Sequence, residues 1–230
     1  MKKQAIFLFI TAAVIFASCK NDGSSEAAST TETPTATAPE AAQVIDSTAA
    51  GIYTVDLANS VIEWKGTKPT GGEHTGTVTL KSGELEIHRG HITGGNMVMD
   101  MNSIAAAGME PDKKGKLEGH LKSPDFFDTA KFPEGSFKFG STMPEPDTAK
   151  YRNVAAGELT LKGIPKSIRI PFNYTFKDGK IYVETPEFSV IRTEWGIQYK
   201  SGIIGTVKDE MISDFINLKV KLVAVPPGAQ

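Results

Sequence analysis

The chain has one cysteine, Cys19, in 230 residues, so it cannot form a disulfide within itself. It also lacks any excess of one charge: 25 basic residues face 27 acidic ones, with no extended basic block. Phosphate backbones demand clustered Lys and Arg, so nucleic acid is excluded as a partner. No apolar stretch is long enough for a helix to cross a bilayer. The longest, "AIFLFITAAVIFA", has thirteen residues, against the roughly twenty a span needs. Dinucleotide fingerprints, phosphate loops, nucleophile elbows and Ser-His-Asp spacings are missing too. Nothing in the chain marks it as an enzyme, and nothing calls for a cofactor.

The near-neutral total hides three regions. Residues 1–18 carry Lys2 and Lys3 ahead of the apolar run, in the order of a secretory signal. The run ends in "FASC", where Ala17 and Ser18 precede Cys19 in a pattern that resembles the bacterial lipobox. Cys19 is therefore the expected lipidation site, placing the protein in the cell envelope, held to a membrane and facing the periplasm or the surface. Residues 19–50 follow, rich in Ser, Thr, Ala and Pro, acidic, and without an aromatic residue until the body begins. Such a segment buries too little apolar surface to offset its ordering entropy, and reads as a disordered tether.

From residue 51 the pattern alternates with period two, as half-buried antiparallel strands require. "VIEWKGT" puts Ile62 and Trp64 on one face. "NMVMDMNSI" gathers Met97, Met99 and Met101. "KSIRIPFNYTF" aligns Ile170 and Phe172, and "FINLKVKLVAV" aligns Val220 and Leu222. Ser82-Gly83 and Asp178-Gly179 read as hairpin turns. Only residues 112–123 carry a helical signal, with Leu117 and Leu121 four apart and two glycines weakening it. In the following "SPDFF", Ser123 has the character of an N-cap, Pro124 suits a first helical position, and one of Phe126 and Phe127 is expected to reach the interior. The fold class is all-β, with about eight strands, and alternation leaves a barrel and a sandwich both open.

Three segments, "HLKSPDFFDTAKFPEGSFKF" (120–139), "GELTLKGIPKSIRIPF" (157–172) and "VIRTEWGI" (190–197), together resemble signature segments of the YceI-like family of bacterial envelope proteins. The resemblance implies an extended, antiparallel, eight-stranded, lipocalin-like barrel with a small helical cap over one end or side. It implies an apolar cavity for an isoprenoid-type lipid, such as a quinone tail or polyprenyl chain, and a non-catalytic role.

The expected cavity wall is Ile62, Trp64, Met97, Met99, Met101, Ile170, Phe172, Val220 and Leu222. Three methionines on one strand face suit a surface that repacks around a variable apolar guest. The expected lip is Phe126, Phe127, Arg192 and Trp195, the last two close enough in sequence for a cation–π pair. His88 and His91, near Glu84 and Glu86, fall short of the ligand number a zinc site needs, so no metal site is assigned. The competing reading is a non-catalytic interaction or structural protein of the envelope whose barrel is filled by its own side chains.

Overall fold

A computed structural model describes residues 45–145 and 150–228. The expected signal segment 1–18, Cys19 and the tether up to residue 44 lie outside the described residues.

The described residues form twelve strands and one α-helix: β1 (Gly51–Val55), β2 (Val61–Thr67), β3 (Glu73–Val78), β4 (Leu80–His88), β5 (His91–Asp100), β6 (Ala105–Ala107), α1 (Pro111–Lys122), β7 (Glu134–Pro144), β8 (Asn153–Leu161), β9 (Ile164–Lys177), β10 (Lys180–Glu184), β11 (Phe188–Ile191) and β12 (Phe215–Val225). The strands β1, β4, β5, β7, β8, β9, β10 and β12 pair in that order, and β12 closes back on β1 through Thr54–Val225 and Val55–Ala224. Every pairing is antiparallel, so the expected eight-stranded barrel is what forms. Closure leaves the ring without a free edge.

The barrel is longer than its ring because several strands come in two pieces. β1 and β2 run along the same side of β12, interrupted by a 3₁₀ turn at Leu57–Asn59, where the Asp56 carboxylate accepts from the Asn59 N–H. β10 and β11 lie along its other side. β3 pairs with β2 and β6, continuing the wall that β4 and β5 begin. The extended wall therefore stands at the end holding the β2–β3 turn. The opposite end holds the β4–β5 and β9–β10 turns. Beside β6, helix α1 covers the wall, and Glu118 Oε1 accepts a 2.8 Å hydrogen bond from the Ala106 N–H.

Asp178-Gly179 makes the expected hairpin, both residues having positive φ. Ser82-Gly83 does not turn. It lies inside β4 beside a bulge between Leu80 and Ser82, and β4 runs on to His88. Gly83 is there for space: a Cβ would meet Val55 Cγ2 at 2.6 Å. Contacts with the barrel also begin earlier than residue 51. Ala49 is buried, its carbonyl accepts from the Gly90 N–H at 2.8 Å, and Asp46 accepts from both the N–H and the hydroxyl of Thr48. Residues 45–50 thus pack on the β4–β5 turn instead of belonging to the tether.

"SPDFF" forms hydrogen-bonded turns in place of a second short helix. Ser123 ends α1 rather than starting a new one, its hydroxyl donating to the His120 carbonyl at 2.8 Å, while its own carbonyl accepts from Phe126 and Asp128.

Candidate functional site

Inward side chains meet across the barrel near the β4–β5 turn, where Tyr53 of β1 packs edge-on against Phe176 of β9 at 6.4 Å, but not along its whole length. They leave two adjoining cavities. The larger, about 410 Å³, lies at the extended end, and the smaller, about 90 Å³, lies within the ring. Both share the walls of Ile62, Met99, Leu159 and Leu218. The larger reaches the surface where Lys68, Glu73 and Phe215 form part of its rim. Volumes of a few hundred Å³ with apolar walls are those of small-ligand sites.

All nine residues expected to line a cavity stand on one of these walls. Ile62 and Met99 face both lobes. Trp64 and Met101 face the larger, and Met97, Ile170, Phe172, Val220 and Leu222 the smaller. Met99 therefore sits at the junction, 9% exposed. Trp64 lies across Gly76 of β3, where any Cβ would collide with the ring and with the Ala105 carbonyl oxygen. Its Nε1–H is buried without a hydrogen-bond acceptor.

Of the expected lip, Phe126 and Phe127 both line the larger lobe; the expectation that only one would do so is corrected. The N–H groups of Phe126 and Asp128 both donate to the Ser123 carbonyl, and that of Phe127 to the Leu121 carbonyl, which folds the pair back against the end of α1. Phe126 packs against His120 and Tyr199, with centroids 5.2 and 5.6 Å away.

Arg192 lines the same lobe but is 1% exposed and fully engaged. Its Nε donates to the Ser213 carbonyl at 3.0 Å, Nη1 to Ile197 at 2.8 Å and Nη2 to Ile212 at 3.1 Å. Nη2 also meets Asp214 Oδ1 at 3.1 Å. Burial pushes the guanidinium below its ordinary range and Asp214 pulls it partly back, yet arginine stays charged. Arg192 is thus the pin of the 192–214 loop, and the loop in turn forms one side of the mouth.

The cation–π pairing expected with Trp195 is replaced by one with Phe126, whose ring centroid lies 5.9 Å from the guanidinium carbon. Trp195 is not on either cavity wall. It is buried at the foot of β8, where its Nε1 donates to the Leu159 carbonyl at 3.1 Å. A short 3₁₀ turn at Arg192–Trp195 separates the two side chains.

His88 and His91 stand at the opposite end of the barrel, on either side of the β4–β5 turn. The His91 Nδ1 approaches the Tyr174 hydroxyl at 3.2 Å. Among the described residues, no three His, Cys, Asp or Glu side chains gather as a metal would need.

The sequence reading missed the wall contributed by irregular segments, Ile104 after β5 and Ile212 and Ser213 before β12. These carry no periodicity that could mark them. Leu117 and Leu121 of α1 also face the lobe, and their i,i+4 spacing was the available signal.

A closed meander of eight strands around an apolar interior that reaches the surface defines a class, the small ligand-enclosing β-barrels. The sequence pattern of the YceI-like domain matches residues 53–224, and the chain belongs to that family. It is 37% identical over 73 residues to the UPF0312 protein plu2095 of Photorhabdus laumondii, a match that spans about a third of that protein's length and 32% of this chain. Two solved structures share the fold. One is BcnA of Burkholderia cenocepacia, with a TM-score of 0.57 and 18% identity over 74% of this chain and 99% of BcnA. The other is a polyisoprenoid binding domain from Saccharophagus degradans implicated in plant cell wall breakdown. Its TM-score is 0.54, with 15% identity over 76% of this chain and 98% of that domain.

Proposed function

We propose that this protein is a membrane-tethered lipoprotein of the cell envelope that binds a long apolar lipid of isoprenoid type in its barrel. The observation that carries the reading is the pair of adjoining apolar cavities, 410 and 90 Å³, with one end at the surface. A lipid tail threaded from the larger lobe past Met99 into the smaller would leave water along its whole buried length. Each methylene so buried is worth about 0.8 kcal/mol, against a cost of several kcal/mol for ordering and immobilising the chain. The methionines at and beside the junction can repack around tails of different branching. The Saccharophagus domain, described as polyisoprenoid binding, supports the choice of ligand class. No reaction is assigned. The role is carriage or sequestration, with Cys19 as the acylated anchor.

Native mass spectrometry of detergent-free protein tests the cavity. A co-purifying lipid, or stoichiometric uptake of added geranylgeraniol or a long-tailed quinone, is expected. Protein that comes out empty and takes up neither refutes the carrier reading and leaves the filled barrel. The anchor is tested separately. Cys19→Ala is expected to move the protein from the membrane to the soluble fraction and to abolish labelling by a fatty-acid probe. Retention in the membrane by a variant whose parent never took the label would rule out the anchor.

A further inference from the structure

We infer that the loop between β11 and β12 docks on a lipid bilayer and seats the mouth of the larger cavity against it. Among the described residues, the loop carries the most exposed large aliphatic side chains, Ile203 at 64%, Ile204 at 56% and Val207 at 66%, and Phe215 at the start of β12 is 54% exposed. Soluble surfaces scatter such residues singly. Here they are gathered in one irregular segment, and a gathering of this kind marks an interaction site.

The segment is also continuous with the cavity. Ile212, Ser213 and Phe215 line the larger lobe, so the loop that carries the apolar tips leads directly into the cavity wall. The tips are held up by a rigid base. Ser201 is fully buried, its hydroxyl donating to Asp214 Oδ2 at 2.9 Å and accepting from the Ile203 N–H at 3.2 Å. Arg192 pins the returning strand through Ile212, Ser213 and Asp214.

The tip "SGIIGTV" (201–207) holds no charged residue, so its aliphatic groups can enter the acyl boundary of a bilayer. The flanking charges balance: Lys200 pairs with Glu210 at 3.3 Å, and Asp209 and Glu210 follow Lys208. The bilayer is the occupant because the loop also supplies the mouth of a cavity proposed to take its guest from a membrane.

The chain outside the structure permits this orientation. Residues 45–49 sit on the β4–β5 turn, at the end away from the mouth. The wall from Glu73 to His88 separates the two ends, a run of about 40 Å along the axis at ordinary rise and tilt. From Cys19 to Ile45 the chain can reach about 85 Å at full extension. An anchor at Cys19 therefore leaves room for the barrel to stand mouth-down.

The docking inference rests on the proposal that the cavity takes a membrane-derived lipid, and the following test separates the two. The chain from residue 19 onward carrying Cys19→Ala has neither anchor nor thiol. Val207→Cys then gives a single site for an environment-sensitive fluorophore, and Lys177→Cys, at the opposite end, gives the control. Phosphatidylcholine vesicles with spin-labelled acyl chains are the probe. The expected result is flotation with the vesicles, quenching at 207 and none at 177. Ile203→Ser with Ile204→Ser, both in exposed positions, is expected to weaken vesicle partitioning at least roughly tenfold with an unchanged circular dichroism spectrum.

Absence of flotation overturns the inference, and so does equal quenching at both sites. Shielding of the 207 probe without vesicles, rising with protein concentration, assigns the loop to self-association and overturns it as well. Protein that floats but takes up no lipid upholds the docking loop and refutes the carrier reading. Lipid-loaded protein that never floats does the reverse.

Discussion

Replacing Arg192 with Met keeps most of the stem and removes the guanidinium. Three carbonyls, of Ile197, Ile212 and Ser213, lose their donor, and Asp214 loses its countercharge. Removing one partner of a buried ion pair costs about 3–5 kcal/mol, because the remaining charge and acceptors stay out of water. Asp214 is 23% exposed and can partly rehydrate, which favours the lower half of that range. For a domain of this size each kcal/mol moves the melting temperature by about 2–4 °C, so a fall of roughly 6–16 °C is expected. Urea denaturation followed by circular dichroism gives the free energy, and a thermal scan gives the shift. Arg192→Lys tests the geometry. A single ammonium cannot serve acceptors fanned around a planar fork, so Lys is expected to recover less than half of the loss. A Met variant within about 1 kcal/mol of the parent would refute the pin, and full rescue by Lys would show that charge alone matters.

Three further outcomes are expected. Met99→Lys, at the junction of the two lobes, should abolish lipid uptake in an extraction assay while the β spectrum persists, because the Lys stem can carry its ammonium towards the larger lobe; Met99→Leu should retain uptake, and loss of the fold in an otherwise lipid-free protein would point to a filled core. Gly76→Ala should destabilise by about 1–3 kcal/mol in urea, since the new methyl collides with the Trp64 ring and the Ala105 carbonyl; a neutral effect would show that the ring has room to move. A chain beginning at residue 51 should lose about 1–2 kcal/mol against one beginning at 45, through the buried Ala49 and its bond to Gly90; equal stability would show that residues 45–50 contribute nothing.

Much of the barrel was legible because a half-buried strand writes its orientation into alternate residues. The faces of Ile62 and Trp64, of Ile170 and Phe172, and of Val220 and Leu222 needed no tertiary information. Ser82-Gly83 was misread because the same dipeptide serves a turn and a crowded strand. What distinguishes the two is Val55 on the neighbouring strand, which local sequence does not contain. Arg192 and Trp195 were misread for a related reason. Their closeness in the chain suggested contact, but a 3₁₀ turn directs one into the loop and the other beneath β8, and each finds carbonyl partners distant in sequence or outside any periodic element. The mouth was the least legible part, since Ile212 and Ser213 belong to a segment whose conformation is fixed by what it packs against.

The seam between β12 and β1 has a consequence for how the molecule is made. β4 with β5, and each strand from β8 to β10 with the strand before it, can pair as soon as both exist, so half of the ring's eight pairings are local hairpins. The seam joins residues from opposite ends of the domain, Val55 with Ala224 and Ile62 with Val220. Non-local pairings of this kind set the pace of folding in all-β domains. Until β12 has been synthesised and docked, the growing sheet is an open sheet with unsatisfied edges and a bare apolar face, the form most prone to pair with another chain. The final eleven-residue strand acts as the closing stave, and its arrival converts an aggregation-prone intermediate into a closed vessel. A chain arrested just short of Phe215 would therefore depend on a chaperone that shields strand edges, a dependence that ends when the stave is in place.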